Sequence, residues 1–126
     1  MIVGIGIDVV EIERIDKMFA DKGDRMLHRL FTDAELSYIS LKAFPGQHLA
    51  ARLAAKEAAY KALNGNELAR GIGWRDIEVF SRADGSPELR LHGKAAERFA
   101  ELDGASIHVS LTHSRETAAA VVIVER

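Results

Sequence analysis

Residues 49–63 read LAARLAAKEAAYKAL, with seven alanines and three leucines around only four charges, Arg52, Lys56, Glu57 and Lys61. The run predicts a helix without the wide polar face of a surface helix. At about 100° per residue, Leu49, Leu53, Tyr60 and Leu63 share one arc. Lys56 falls inside that arc, Arg52 lies beside it, and Glu57 and Lys61 continue from its other edge. The remaining arc is alanine, which permits another element to pack closely. Such a helix is enclosed, and its charges must meet one another or a charged ligand, because unpaired buried charge is costly. The plainer alternative is a Glu57–Lys61 pair at i,i+4, worth roughly 0.3–0.5 kcal/mol when exposed.

The N-terminal segment carries a second anomaly. Residues 2–9 alternate, with Val3, Ile5, Ile7 and Val9 on one face and Gly4, Gly6 and Asp8 on the other. Period two predicts a strand with one packed face, the apolar one, and a second face that is nearly bare until Asp8. The glycines leave room for a backbone or a ligand to approach. Asp8 then reads either as a carboxylate ligand for a hard cation or as a cap for the helix that follows. Mg²⁺ usually takes one or two protein carboxylates and completes its octahedron with water and substrate phosphate. Asp8 and Glu57 can supply those two.

The rest of the chain reads as α+β. Helical spacing runs over 11–20, Asp21-Lys22-Gly23 breaks it, and Asp24 opens a short turn through Leu30. Thr32 with Glu35 is a capping-box pattern that starts a helix near Asp33. Pro45-Gly46 reads as a turn, and the enclosed helix covers 48–63, ending near Gly65. DIEVFSR (76–82) and PELRLHG (87–93) form a hairpin about residues 83–86, with a short helix over 94–102. SIHVSLTH (106–113) and AAAVVIVE (118–125) pair antiparallel across a short connection, closed by Thr112 and Ser114. The expectation is one domain over 1–126, an antiparallel sheet packed with helices.

Net charge is −2, which argues against a general nucleic-acid binder. Cysteine is absent, so disulfides, thiolate metal sites and cysteine nucleophiles are excluded. No signal peptide or membrane-length apolar run is evident, and a cytoplasmic location is expected. Residues 14–29 are locally basic, with Arg14, Lys17, Lys22, Arg25, His28 and Arg29 among Met18, Phe19, Met26 and Leu27. That patch suits docking to an acidic protein, or is a solvated face partly neutralised by Asp16, Asp21 and Asp24. His28, His48, His92 and His108 show no metal-ligand spacing, and no P-loop or dinucleotide-type glycine motif is present. His113 ends a strand, where a turn role is the default. Three functions stay open on these residues alone: a metal-and-phosphate enzyme with a protein acceptor, a different Mg²⁺-dependent phosphotransferase or nucleotide hydrolase without one, and a non-enzymatic module that binds an acidic protein.

Three segments together resemble the short, bacterial type of phosphopantetheinyl transferase, the holo-acyl-carrier-protein synthases. They are GIGIDVVEIERI (4–15), ARLAAKEAAYKAL (51–63) and SLTHSRETAAAVVIVE (110–125), with FTDAEL (31–36) and WRDIEVF (74–80) in order between them. The resemblance implies the fold of that family. It also implies transfer of 4′-phosphopantetheine from coenzyme A to a serine of apo-acyl carrier protein, in fatty acid biosynthesis. Asp8 and Glu57 are then ligands of Mg²⁺ and catalytic. Arg52, Lys56 and Lys61 hold coenzyme A phosphates, with Lys61 also a candidate acid and His113 beside the bound cofactor. Arg14, Met18, Arg25 and Arg29 dock the carrier protein, and the assembly is a homotrimer with sites between subunits. One departure stands out: Asn64-Gly65-Asn66 replaces the Gly-Thr-Gly that many members place after the helix.

Overall fold

The computed structural model describes residues 1–63 and 71–126. In chain order these form β1 (Ile2–Glu11), α1 (Ile12–Lys22), α2 (Asp24–Leu30), α3 (Asp33–Ile39) and α4 (Pro45–Ala62). A 3-10 turn at Trp74–Asp76 leads into β2 (Ile77–Ser81), β3 (Pro87–Leu91), α5 (Gly93–Glu101), β4 (Ser106–His113) and β5 (Thr117–Glu125). The α+β class is as expected. The helix exit near Gly65 and the departing segment Asn64-Gly65-Asn66 lie outside the described residues.

β1, β5 and β4 form an antiparallel sheet in that order, and β2 and β3 form a separate hairpin. β5 is central, and its alternation buries Ala118, Ala120, Val122 and Val124 on one face. α4 packs across that face, where Ala54, Ala55, Ala58, Ala59 and Ala62 are fully buried. Ile15 of α1, Phe31, Ile39 of α3 and the hairpin residues Ile77, Val79 and Leu89 complete the core.

The packed face of β1 is the reverse of the one expected from side-chain size. Gly4 and Gly6 are buried, while Ile5, Ile7 and Val9 are 63%, 64% and 60% exposed. The reason is the approach of α4. A Cβ on Gly4 would lie 1.8 Å from the Ala62 carbonyl oxygen, and one on Gly6 1.9 Å from that of Ala58. The two backbones touch through glycine on one side and alanine on the other, a contact that valine and isoleucine would prevent. The alternation was right; the sheet face it assigned to the core was not.

Pro45-Gly46 also departs from expectation, because it opens α4 instead of preceding it. Proline's fixed φ suits the first helical turn, and its missing N–H leaves no donor unbonded there. The Thr32–Glu35 capping box forms as predicted. The Glu35 N–H donates to Thr32 Oγ1 at 3.2 Å, and the Thr32 N–H donates to Glu35 Oε1 at 2.9 Å. Among the described residues no helix is long and apolar enough to cross a membrane.

Candidate active site

The Gly4–Ala62 and Gly6–Ala58 contacts place strand and helix antiparallel. Two strand residues advance about 6.8 Å and four helical residues about 6 Å, so the two elements stay in step. Asp8, next on the same face of β1, comes within reach of side chains from the C-terminal half of α4, Glu57 and Lys61. Lys61 Nζ donates to Asp8 Oδ1 at 3.2 Å and to the Ile7 carbonyl at 3.0 Å. Its side chain stays 55% exposed while that of Asp8 is 16% exposed. The expected partners of the enclosed charges are thus brought together, with Lys61 turned to Asp8.

The Asp8 and Glu57 carboxyls act on each other, and their pKa values are pushed apart. Burial, then the hydrogen bond and negative charge of Asp8, push the Glu57 carboxyl up to about 7, against the pull of Arg14 and Lys61. Burial works on Asp8 in the same direction. There the hydrogen bonds from Glu57 and Lys61 and the Lys61 charge outweigh it and hold Asp8 below the usual carboxylate range. Asp8 Oδ2 is buried and accepts no hydrogen bond from a donor group among the described residues. Two adjoining carboxylates with an orphaned buried oxygen are the donor set a hard divalent cation takes from a protein, so the residues fit Mg²⁺. Among the described residues no cluster of three or more metal-ligating side chains exists.

Beside this pair opens a cleft of about 320 Å³, lined by Glu57, Tyr60 and Lys61 on one side and by Ile72, Gly73, Trp74 and Ile77 on the other. Lys56 also lines it. The Lys56 ammonium points inward to Glu35 Oε1 at 2.8 Å, the Trp74 carbonyl at 2.9 Å and the Ile77 carbonyl. Its side chain and that of Glu35 have no exposed surface. Lys56 therefore offers no free N–H to a phosphate in this arrangement, which corrects the direct contact expected of it. Burial lowers its pKa, and Glu35 works against that.

Arg52 and His113 gather elsewhere. Residues 52 and 57 of α4 are about 140° apart around the helix and about 7.5 Å apart along it. Arg52, 4% exposed, lies over the Tyr38 ring at 4.7 Å and donates through Nη2 to Ser81 Oγ at 3.1 Å. Its Nε–H is buried without an acceptor among the described residues. Lys42 Nζ sits over the same ring at 4.5 Å, and the His48 ring is 6.4 Å from Tyr38 and 6.5 Å from His113. Burial first, then the charges of Arg52, Lys42 and His113, lower the His48 pKa. Hydrogen bonds from Ser81 and Lys42 lower that of Tyr38. This crowd of donors and positive charge is suited to an anion. Tyr38, Lys42 and His48 were not among the expected site residues. They straddle the end of α3 and the start of α4, so no single periodicity joins them.

Arg14 and Met18 follow at i,i+4 on α1, and Arg25 and Arg29 at i,i+4 on α2. The three arginines are exposed, whereas Met18 is half-buried against the core. Arg25, Met26, His28 and Arg29 line one shallow hollow. Arg14 is also close enough to Glu57 for its charge to act on that carboxyl. Ser114 closes the β4–β5 hairpin, its N–H donating to the Thr117 carbonyl at 2.8 Å.

The family model described as the 4′-phosphopantetheinyl transferase superfamily matches residues 4–122. A holo-[acyl-carrier-protein] synthase of Nitratidesulfovibrio vulgaris is 53% identical over 125 residues, 99% of each chain. The crystal structure of the holo-[acyl-carrier-protein] synthase from Neisseria meningitidis superposes with a TM-score of 0.90 at 31% identity, covering 100% of both chains. The synthase from Bacillus anthracis, solved in complex with CoA (3′,5′-ADP), gives a TM-score of 0.78 at 35% identity, covering 98% of this chain and 96% of that one.

Proposed function

The chain belongs to the 4′-phosphopantetheinyl transferase superfamily, and from that premise we infer how its residues divide the work of the reaction. The protein is a holo-acyl-carrier-protein synthase in activity. It moves the 4′-phosphopantetheine group of coenzyme A to a serine of apo-acyl carrier protein and releases adenosine 3′,5′-bisphosphate. The observation that carries the assignment of roles is the Asp8–Glu57–Lys61 cluster at the mouth of the cleft.

The serine hydroxyl attacks the phosphorus that bears the pantetheine, a new P–O bond forms, and the bond to the adenosine bisphosphate breaks. Such a transfer needs alignment and neutralised charge more than covalent help from the enzyme. Asp8 and Glu57 would hold Mg²⁺, which when bound supplies positive charge to the diphosphate. Lys61, anchored by Asp8 and the Ile7 carbonyl, adds a fixed cation whose side chain remains open to the ligand. Glu57 is the group suited to accept the serine proton. Its carboxylate lines the cleft, within reach of a hydroxyl brought to the bound phosphate. Arg52 and His113, with Lys42 and His48, provide a second anion site for the remaining phosphates. Arg14, Arg25 and Arg29 receive the acidic carrier, with Met18 at the margin.

The two anion-binding clusters lie on different sides of α4 in one chain, so we assign them to a site shared between neighbouring subunits. The exposed row Ile5, Ile7 and Val9 supports a closed homotrimer. It adjoins Val121 and Ile123 on the neighbouring strand, which makes a continuous apolar sheet surface of the kind that marks an interface. A ring of identical subunits covers such a face by closing on itself.

The test mixes the protein with coenzyme A, apo-carrier protein and Mg²⁺ and follows the carrier by mass spectrometry. A gain of one phosphopantetheine is expected. Asp8→Ala and Glu57→Ala should each lower the rate by about a hundredfold or more while the fold is kept. Full activity in either variant removes the metal-site assignment.

A further inference from the structure

Lys56 makes three hydrogen bonds that reach three elements: Glu35 on α3, the Trp74 carbonyl in the 3-10 turn and the Ile77 carbonyl at the start of β2. An ammonium has three N–H donors, so its capacity is used in full. Glu35 is equally committed. Oε1 accepts from Lys56 and the Thr32 N–H, and Oε2 accepts from the Val79 N–H at 3.1 Å. The Phe31 ring lies 5.5 Å from the ammonium and helps to close it off.

A buried ion pair adds little net stability over an apolar pair of similar volume, so stability alone does not explain this one. An apolar pair cannot hold two backbone carbonyls in a set direction. Those carbonyls belong to Trp74 and Ile77, which with Ile72 and Gly73 form the cleft wall across from Glu57 and Lys61. One helix thus presents the reactive carboxylate at residue 57 and, from residue 56, ties down the opposite wall.

We propose that Lys56, oriented by Glu35, is a positioning residue that fixes the 72–77 wall relative to Glu57 and so sets the affinity of the cleft for coenzyme A without donating a hydrogen bond to it. The identity of the ligand rests on the transferase reading; the restraint on the wall does not.

Trp74 is the chain's one tryptophan, and its fluorescence reads the wall directly. The test compares wild type, Lys56→Met and the double variant Glu35→Gln/Lys56→Met. The double variant leaves no buried charge unpaired, so it decides the matter where Lys56→Met fails to fold. In folded protein, acrylamide quenching of Trp74 should rise about twofold as local restraint is lost. The coenzyme A KM should rise about tenfold, more than kcat falls, as expected for lost ground-state binding. Wild-type quenching and wild-type KM in the folded double variant overturn the proposal. A larger fall in kcat than rise in KM also overturns it, because Lys56 would then act in the transition state. A wild-type protein that modifies no carrier overturns the transferase reading instead, while the quenching comparison still tests the wall.

Discussion

The backbone of Gly6 lies against that of Ala58 so closely that a Cβ on the glycine would sit 1.9 Å from the Ala58 carbonyl oxygen. This contact sets the height at which α4 crosses β1, and hence which helical residues face Asp8. Gly6→Ala must push strand and helix apart, since the atom in the way is backbone and cannot rotate aside. The expected cost is about 3 kcal/mol, read as a lower urea midpoint. Transfer activity should fall further than the folded fraction does, because Glu57 and Lys61 move away from Asp8. A variant of wild-type stability and rate refutes the close contact.

The Asp8–Glu57 pair predicts a pH signature. Glu57 titrates at about 7 in the folded protein and at 4.5 normally, so between those values the folded state holds a proton that the unfolded state has released. Its contribution to metal-free stability is complete below 4.5 and is lost as pH rises through about 7. Asp8, whose pKa is lowered, acts in the opposite sense and only below 3.8, outside that window. In EDTA, wild type minus Glu57→Gln should therefore give a urea-midpoint difference that declines from about pH 5 to about pH 8. Mg²⁺ must displace the same proton, so its apparent affinity should rise with pH and level off above about 7. A flat difference in EDTA refutes the raised pKa of Glu57.

The exposed row on β1 predicts the assembly. Ile7→Asp puts a charge at the centre of an apolar surface, where association would leave it buried and unpaired. Sedimentation should show a trimer for wild type and a monomer for the variant. Transfer should drop by about a hundredfold or more as the shared sites come apart. A trimeric, active Ile7→Asp protein moves the interface elsewhere.

The basic helices predict a separation of effects. Arg25→Glu lies on α2 and should raise the carrier KM about tenfold, with that of coenzyme A nearly unchanged and the effect weakened by salt. Arg14→Glu should do more, because Arg14 also acts on Glu57. It should raise the carrier KM and, in metal-free protein, move the Glu57 titration to higher pH. An unchanged carrier KM in both variants removes these arginines from the docking surface.

Much of this was legible in the sequence because it depends on local geometry. The alternation of residues 2–9, the enclosed pattern of 49–63 and the Thr32–Glu35 capping box each follow from the period of a strand or helix or from the first turn of one. Asp8 and Glu57 were conspicuous for a related reason, since each carries charge where its element is otherwise bare or apolar. Spacing also singled out Arg52, although not its partners.

Tertiary structure decided what lies between elements. Periodicity separates the two faces of β1 but cannot say which one meets the core. Here close backbone contact outweighed the greater apolar area of isoleucine and valine, and the glycine face was buried. The helical wheel placed Lys56 among the apolar residues of α4. Only the packing of α3 and the hairpin shows that its charge ends on Glu35 and two carbonyls, and not in the cleft. The side-chain partners of Arg52, Tyr38 and Ser81, come from two segments that meet it in space alone. A sequence determines periodicity, capping and the positions of unusual charge, because these act over a few residues. Which charge answers which depends on distances set by the whole packed chain.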